Sequence, residues 1–380
     1  MRVLVATTAG SGHFGPLLPF AGALREAGHE VVVAAPASFA PAVSRAGYPH
    51  RPLADAAPGE LGAVFARLPS LSWEEANAQV IGEVFGRIDT RAALPGMEAA
   101  VKALRPDLIL RESAEFSSYL TAERLGVPHA HVSVGLGLLN VFSRPVLEAP
   151  LTELGAEPGL PGLFSLATLT MAPASFEDPA TAGGDEVRRF RDDTADGAED
   201  PLPGWWPNAA DPLVYMTFGT VAAGMGLFPD LYRGAVGALA DLPIRVLLTV
   251  GDAGDPSALD PLPANVHVER WFPQRAVMPH ASAMVGHGGF GTTMSGLANG
   301  VPMVVVPLFA DQPHNARRVD AIGAGVALDG GPAAIGALAG AVARVLTDDS
   351  IRAGARRIAD EIAGLPAAAE AVPLLEGLAR

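Results

Sequence analysis

Cysteine is absent from the 380 residues, which excludes disulfides, thiol nucleophiles and any cysteine-ligated metal. Positive charge is scarce: 26 Lys and Arg stand against 41 Asp and Glu, a formal net charge of −15, which argues against a nucleic-acid polymer or an anionic membrane as partner. No apolar run approaches the roughly 18 residues of a membrane span. The short apolar stretch after Arg2 stops at Gly10, too short for a signal-peptide core, so the chain is expected to be cytoplasmic. An anionic small ligand stays open, provided that local features hold it. What is abundant is apolar: 49% hydrophobic residues can supply a core to each of roughly two domains.

Strand-like runs RVLVATT (2–8) and EVVVAAP (30–36) flank a helical pattern in which Leu17, Leu18, Ala21 and Leu24 share a face. Pro16 suits the first helical turn and Gly28 the C-terminal cap, so the chain opens as a βαβ unit. Further strands are expected at DLILRE (107–112) and HAHVSV (129–134), giving a parallel, doubly wound sheet. The composition then turns to Pro, Gly and acid in DGAEDPLPGWWPNAADP (196–212), and the pattern begins again. Its second round runs PLVYMTFGT (212–220), IRVLLTVG (244–251), NVHVERW (265–271), AMVGHGG (283–289) and VPMVVVP (301–307). The expected division is a first domain over 1–200, a linker over 201–212 and a second domain over 213–364. Two such α/β domains are expected to face each other across a cleft, with ligands at the carboxyl ends of the strands. Segments 55–100 and 135–180 fit neither pattern and either wall an apolar pocket or cover the core.

Two glycine motifs invite a dinucleotide reading. GSGHFG (10–15) satisfies G-x-G-x-x-G, but the acid expected about 20 positions on to hold a ribose is missing, since the second strand ends Ala34, Ala35, Pro36. GHGGFG (286–291) has Asp311 beyond it, several residues past the strand end and inside ADQPHNA, which a plain ribose site does not require. That second turn reads better as an anion site. Gly288, Gly289 and Gly291 admit close backbone approach, Thr292 and Thr293 add hydroxyls, His287 adds a ring donor, and the next helix points its positive end there. Together they suit a diphosphate; a tight turn around a buried histidine is the plainer alternative.

ERWFPQRAVMPHASAMVGHGGFGTTMSGLANGVPMVVVPLFADQPHNARRV (269–319) closely resembles the donor-binding signature of GT-B glycosyltransferases, and GSGHFGPLLPFAGALREAGHEVVVAAP resembles their opening. The likeness is nearest to microbial transferases that place deoxysugars on polyketides and other natural products. It implies a GT-B fold of two Rossmann-like domains, the first binding acceptor and the second a nucleotide sugar, with a terminal helix at 365–380 crossing back to the first. Carried over, it implies that Trp271 stacks on the base and the backbone near Gln274 reads its edge. It likewise assigns Thr220, His287, Gly289, Gly291, Thr292 and Thr293 to the diphosphate, and Asp311 with Gln312 to the sugar hydroxyls. One departure is informative: where plant-like members carry a ribose-clasping glutamate, eight residues past the histidine, this chain has Ser295. A thymidine nucleotide has no 2′-hydroxyl to clasp, so dTDP-sugar is the expected donor and UDP-sugar the second choice.

The resemblance makes His13 the general base that takes a proton from the acceptor hydroxyl. The positive end of the following helix disfavours imidazolium, which suits a ring that must start neutral. A carboxylate should orient it. The family position is Glu112, where aspartate is common, with Glu115 in reserve; a solvated acid at a strand end is the alternative for either. The implied reaction is a single in-line displacement with inversion, needing no cofactor and no metal, since neither Asp192-Asp193 nor Asp348-Asp349 sits in a metal-site context. Rival readings are a nucleotide-sugar epimerase of the same fold, a non-catalytic sugar-nucleotide-binding helper and a Rossmann dehydrogenase. Small-molecule donor and acceptor are the expected partners, and a homodimer stays open.

Overall fold

In the first strand Val3 and Val5 point to one side and Leu4 and Ala6 to the other, and each set is buried in its own cluster. A strand that is apolar on both faces belongs in the middle of a parallel sheet covered by helices. The computed structural model describes residues 1–164, 167–181, 186–193, 202–206 and 210–380. The strands β1 (Arg2–Ala6), β2 (Glu30–Pro36), β3 (His50–Leu53), β4 (Leu108–Glu112), β5 (His129–Val132), β6 (Thr168–Thr170) and β7 (Val187–Arg189) form one sheet, ordered β3-β2-β1-β4-β5-β6-β7. A second sheet holds β8 (Leu213–Thr217), β9 (Arg245–Thr249), β10 (Val266–Glu269), β11 (Ala283–Gly286), β12 (Met303–Val305) and β13 (Gly325–Ala327), ordered β10-β9-β8-β11-β12-β13. The strand pairs of both sheets are parallel. Each order reverses once, between β1 and β4 and between β8 and β11, which is the doubly wound pattern.

The chain divides into two compact domains, residues 1–194 with 365–380 and residues 195–364. The closing segment is part of the first: Ala368, Ala371 and Leu375 are buried in the cluster that holds Val3, Val5 and Leu110, and His29 Nε2 meets Glu376 Oε1 at 3.1 Å. The expected boundary at 200 and linker residues 201 and 207–209 lie outside the described residues. In the described part of that segment Trp205 stacks on His267 of the second domain, 4.4 Å between rings at 12°.

Four strands escaped the sequence pattern. Those at His50–Leu53, Thr168–Thr170, Val187–Arg189 and Gly325–Ala327 have three or four residues, too few to display alternation, and the first contains Pro52. Segment 135–180, which showed no pattern, therefore contributes a strand to the sheet as well as the helix Gly137–Glu153. Segment 55–100 is helical, with a wider π-type stretch over Val80–Asp89 running into the helix Thr90–Leu104. Among the described residues no helix is long and apolar enough to cross a membrane.

One face of β4 and β5 carries a buried polar stripe, Arg111, His129 and His131. Arg111 donates from Nε to His129 Nδ1 at 3.4 Å and from Nη2 to the Leu163 carbonyl, with its guanidinium 5.4 Å from the Tyr119 ring. Because Nδ1 accepts, the 3.0 Å contact of His129 Nε2 with Glu123 is a hydrogen bond from a neutral ring and not an ion pair. Burial first, then Arg111, takes His129 down to about 3 and His131 well below the usual value. An unfolded histidine gains its proton near pH 6.5 while these folded rings do not, so their stabilisation is present above 6.5 and is lost as pH falls. Each group should contribute about 1.4 kcal/mol of loss per pH unit below that point. The unfolding temperature, followed by circular dichroism, is expected to decline between pH 7.5 and 5, and His131→Gln is expected to flatten the decline.

Candidate active site

The loop after β1 and the end of β4 meet because their strands are neighbours, with Ala6 in register with Arg111. That register carries Thr8 alongside Glu112. Glu112 is fully buried and its carboxylate collects four donors: Thr8 N at 3.1 Å, Thr8 Oγ1 at 3.0 Å, Ala114 N at 2.7 Å and His13 Nδ1 at 2.9 Å. Burial works against its charge, yet His13 and these hydrogen bonds outweigh it and hold the carboxyl below its ordinary value. An ionised Glu112 can only accept, so Nδ1 of His13 carries the proton and the basic lone pair belongs to Nε2.

His13 sits inside a first helical turn, Ser11–Phe14, rather than ahead of the helix as the sequence reading had it. The turn continues through Gly15–Leu17 into the helix Leu18–Glu26. Its neighbour Phe14 is buried against Phe39, edge on at 5.7 Å, and this anchor turns His13 the other way, where 26% of its side chain is exposed. The Phe85 ring of the Val80–Asp89 stretch lies 5.4 Å from the imidazole. Behind Phe85, Ile81, Leu94 and Phe164 pack on a buried cluster that includes Phe116, Tyr119, Leu147 and Leu163, so the two patternless segments form an apolar wall beside His13. Glu115, the reserve partner, does not serve His13: it is buried and accepts from Ser117 N at 3.2 Å, Ser117 Oγ and Ser118 N at 2.9 Å. Gly12 and Gly15 have open space where a Cβ would go, so the packing demands glycine at neither of these positions of the first motif.

The second domain repeats the arrangement at its own reversal, where Thr217 of β8 is in register with Gly286 of β11. The loop after β8 brings Gly219 and exposed Thr220; the loop after β11 brings His287, Gly288 and Gly289, then the helix Phe290–Ala298. His287 is enclosed so tightly that a Cβ on Gly219 would fall 2.6 Å from its Nε2 and one on Gly289 2.4 Å from the same atom. Glycine is obligatory at both, and at Gly219 doubly so because its φ is +80°. Burial, partly offset by the Thr217 backbone, takes His287 down to about 4, so the ring is neutral at pH 7.

The remaining expected donor-site residues separate into groups. Gln274 Nε2 donates to Thr292 Oγ1 at 3.2 Å, and Gly291 is exposed at the same helix start. Thr293, the next residue, is buried, and its hydroxyl has no partner among the described residues. Trp271 stands 64% exposed just past β10. Asp311 connects back to the glycine turn through a residue the motif reading missed: Asn315 Nδ2 donates to Asp311 Oδ2 and to the Gly288 carbonyl, both at 2.8 Å. Gln312 is buried, and its Oε1 accepts from Leu308 N at 2.8 Å and Phe309 N at 3.0 Å, so its carbonyl braces the loop and only its Nε2 is left for a sugar hydroxyl. No group of three or more His, Asp or Glu among the described residues could hold a metal ion. Asp348 caps the helix Asp349–Ala363 through Ser350 N at 2.9 Å.

Comparison with known proteins adds independent findings. Residues 22–177 match the erythromycin biosynthesis protein CIII-like N-terminal domain and residues 234–378 its C-terminal counterpart. The chain is 31% identical to 4′-demethylrebeccamycin synthase of Lentzea aerocolonigenes, over 99% of both chains. It is 32% identical to L-demethylnoviosyl transferase of Streptomyces niveus, over 100% of this chain and 98% of that one. The crystal structure of Streptomyces sp. SF2575 glycosyltransferase SsfS6, complexed with thymidine diphosphate, superposes with a TM-score of 0.76 at 30% identity, covering 99% of each chain.

Removal of the Glu112 carboxylate is expected to cost stability as well as geometry. Glu112→Ala leaves two buried backbone N–H groups and the Thr8 hydroxyl without their acceptor, at about 1–3 kcal/mol for each group left unmet. Glu112→Gln keeps an acceptor for Thr8 and should lose less. Urea unfolding of the two variants beside the wild type measures both.

Proposed function

The chain belongs to the family of erythromycin biosynthesis protein CIII-like glycosyltransferases, and from that membership we propose that it moves a deoxysugar from dTDP to a hydroxyl of an apolar natural-product acceptor, with His13 as general base. It is a glycosyltransferase of GT-B fold. The observation that carries the finer reading is the 2.9 Å contact of His13 with a buried, four-donor Glu112 at the strand reversal of the first domain. Glu112 fixes the tautomer and offsets the positive charge that grows on the ring as the acceptor proton arrives. The apolar wall around Phe85 and Phe164 suits a hydrophobic acceptor and keeps water from competing with its hydroxyl.

Attack by the acceptor oxygen on one face of the sugar expels the nucleoside diphosphate from the other, which inverts the anomeric centre. In the second domain His287 would donate to the diphosphate as a neutral ring. Backbone N–H groups at Gly289 and Gly291, the hydroxyls of Thr220 and Thr292 and the helix start of Phe290–Ala298 complete an anion site that needs no metal. Preorganised donors of this kind stabilise leaving-group charge in the transition state. Trp271 would stack on the base, Gln274 lies where the base edge would be read, and Asp311, held by Asn315, would bind sugar hydroxyls. The relative solved with thymidine diphosphate and Ser295 in place of a ribose-clasping acid both favour dTDP over UDP.

Calorimetric titration with dTDP, UDP and NAD in separate runs tests the donor. Tighter binding of dTDP is expected; equal affinity for dTDP and UDP removes the thymidine preference, and binding of NAD alone overturns the reading. His13→Ala is expected to lower turnover of an aromatic polyketide acceptor by about 100- to 10,000-fold with dTDP affinity retained. Near-normal turnover in that variant would take the general-base role away from His13.

A further inference from the structure

The passage that carries Trp271 runs from the end of β10 at Glu269 to the helix Gln274–Val277. It leaves the sheet firmly held: Gly251 N donates to the Arg270 carbonyl and Arg270 Nη1 donates to the Asp252 carbonyl, both at 2.9 Å. It enters the helix with Ala276 N on the Pro273 carbonyl at 3.0 Å. Between these ends stand exposed Trp271 and half-buried Phe272, and no hydrogen bond from a described residue reaches either. A ring from much earlier in the chain meets Phe272 instead. Trp205 packs on it edge to face, with 5.3 Å between centroids at 76°.

Trp205 is itself fixed on several sides, and its segment belongs to the second domain. Its ring lies flat on His267 of β10, and Trp206 meets it edge on at 5.4 Å. Trp206 is buried with the Arg245 guanidinium 5.4 Å from its ring, and Arg245 Nε donates to the Asp211 carbonyl at 2.8 Å. His267 Nε2 is held 2.8 Å from Glu269 Oε1. We infer that Trp205 is a positioning residue for donor binding, which anchors Phe272 and so holds the neighbouring Trp271 ring ready to stack on a base. The inference rests on Trp271 being the base-stacking residue. The link is one peptide bond long. Phe272 precedes Pro273, which favours extended backbone, where successive side chains take opposite sides. One ring packs inward on Trp205 and the next stands in solvent. An edge-to-face pair fixes its partner's angle as well as its distance. Without that anchor Trp271 has to be ordered when the nucleotide arrives, and the cost falls on affinity.

The chain has four tryptophans, Trp73, Trp205, Trp206 and Trp271, so labelling with 5-fluorotryptophan gives one fluorine resonance for each indole. The Trp271 resonance is assigned by its loss in Trp271→Ala. In the full chain Trp205→Leu is expected to shift or broaden it and to weaken dTDP binding, measured by calorimetry, about 3- to 10-fold. The KM of an aromatic polyketide acceptor should stay as in the wild type. Trp205→Phe, which keeps a ring against Phe272, should restore most of the dTDP affinity. The double variant Trp205→Leu/Trp271→Ala should bind dTDP no more weakly than Trp271→Ala alone, because the first residue acts through the second. Phe272→Leu breaks the same link from its other side, is expected to show the same loss, and decides the matter if Trp205→Leu does not fold. Wild-type dTDP affinity in the folded variants, an unmoved Trp271 resonance, or losses that add in the double variant overturns the inference; a tryptophan of purely structural value would lower the melting temperature and give one of these results. If Trp271→Ala binds dTDP as the wild type does while Trp205→Leu still moves the Trp271 resonance, the packing link stands and the base-stacking reading is what fails.

Discussion

Where neighbouring strands send their following loops to opposite sides of a sheet, a gap opens that no crossover fills. Each domain has one such gap, β1 beside β4 and β8 beside β11, and the groups that carry the chemistry argued above are built around it. Thr8 and His13 follow β1, and Glu112 ends β4; Gly219 and Thr220 follow β8, and His287 follows β11. Parallel pairing fixes which residues stand opposite, so the registers Ala6 with Arg111 and Thr217 with Gly286 set the geometry before any side chain is placed. The rest of the fold covers these strands and fills the flanks, with the first strand buried on both faces.

Burial then gives like residues unlike chemistry. Glu112 and Glu115 are three positions apart and both fully desolvated, but His13 and the backbone donors pull the first below its ordinary value while burial leaves the second above it. The histidines divide in the same manner. His129, His131 and His287 are buried and stay neutral, His129 even though its Nε2 meets Glu123 at 3.0 Å; His13 is partly exposed and has a carboxylate on Nδ1. Only His13 of these four combines access with a paired anion, the combination a proton acceptor needs.

Much of the plan was legible in the sequence. Long β-branched runs such as EVVVAAP and the glycine turn at 286–291 announced the strands, their parallel class and a tight turn into a helix, because alternation and glycine placement are local signals. Three-residue strands such as Thr168–Thr170 were not, since pairing with neighbours and not propensity makes them strands. Thr292 and Thr293 looked equivalent in the motif. The helix brings one to Gln274 and buries the other.

The sequence by itself determined the fold class, the two-domain plan and the inventory of reactive groups, because hydrophobic period, glycine and residue type are properties of short stretches. Only the tertiary structure decided which groups meet. Glu112 rather than Glu115 reaches His13 across 99 residues of chain, and Asn315 ties Asp311 to Gly288. Those choices follow from strand register and helix packing, which are set by the burial of the whole core and leave no mark at the residues they bring together.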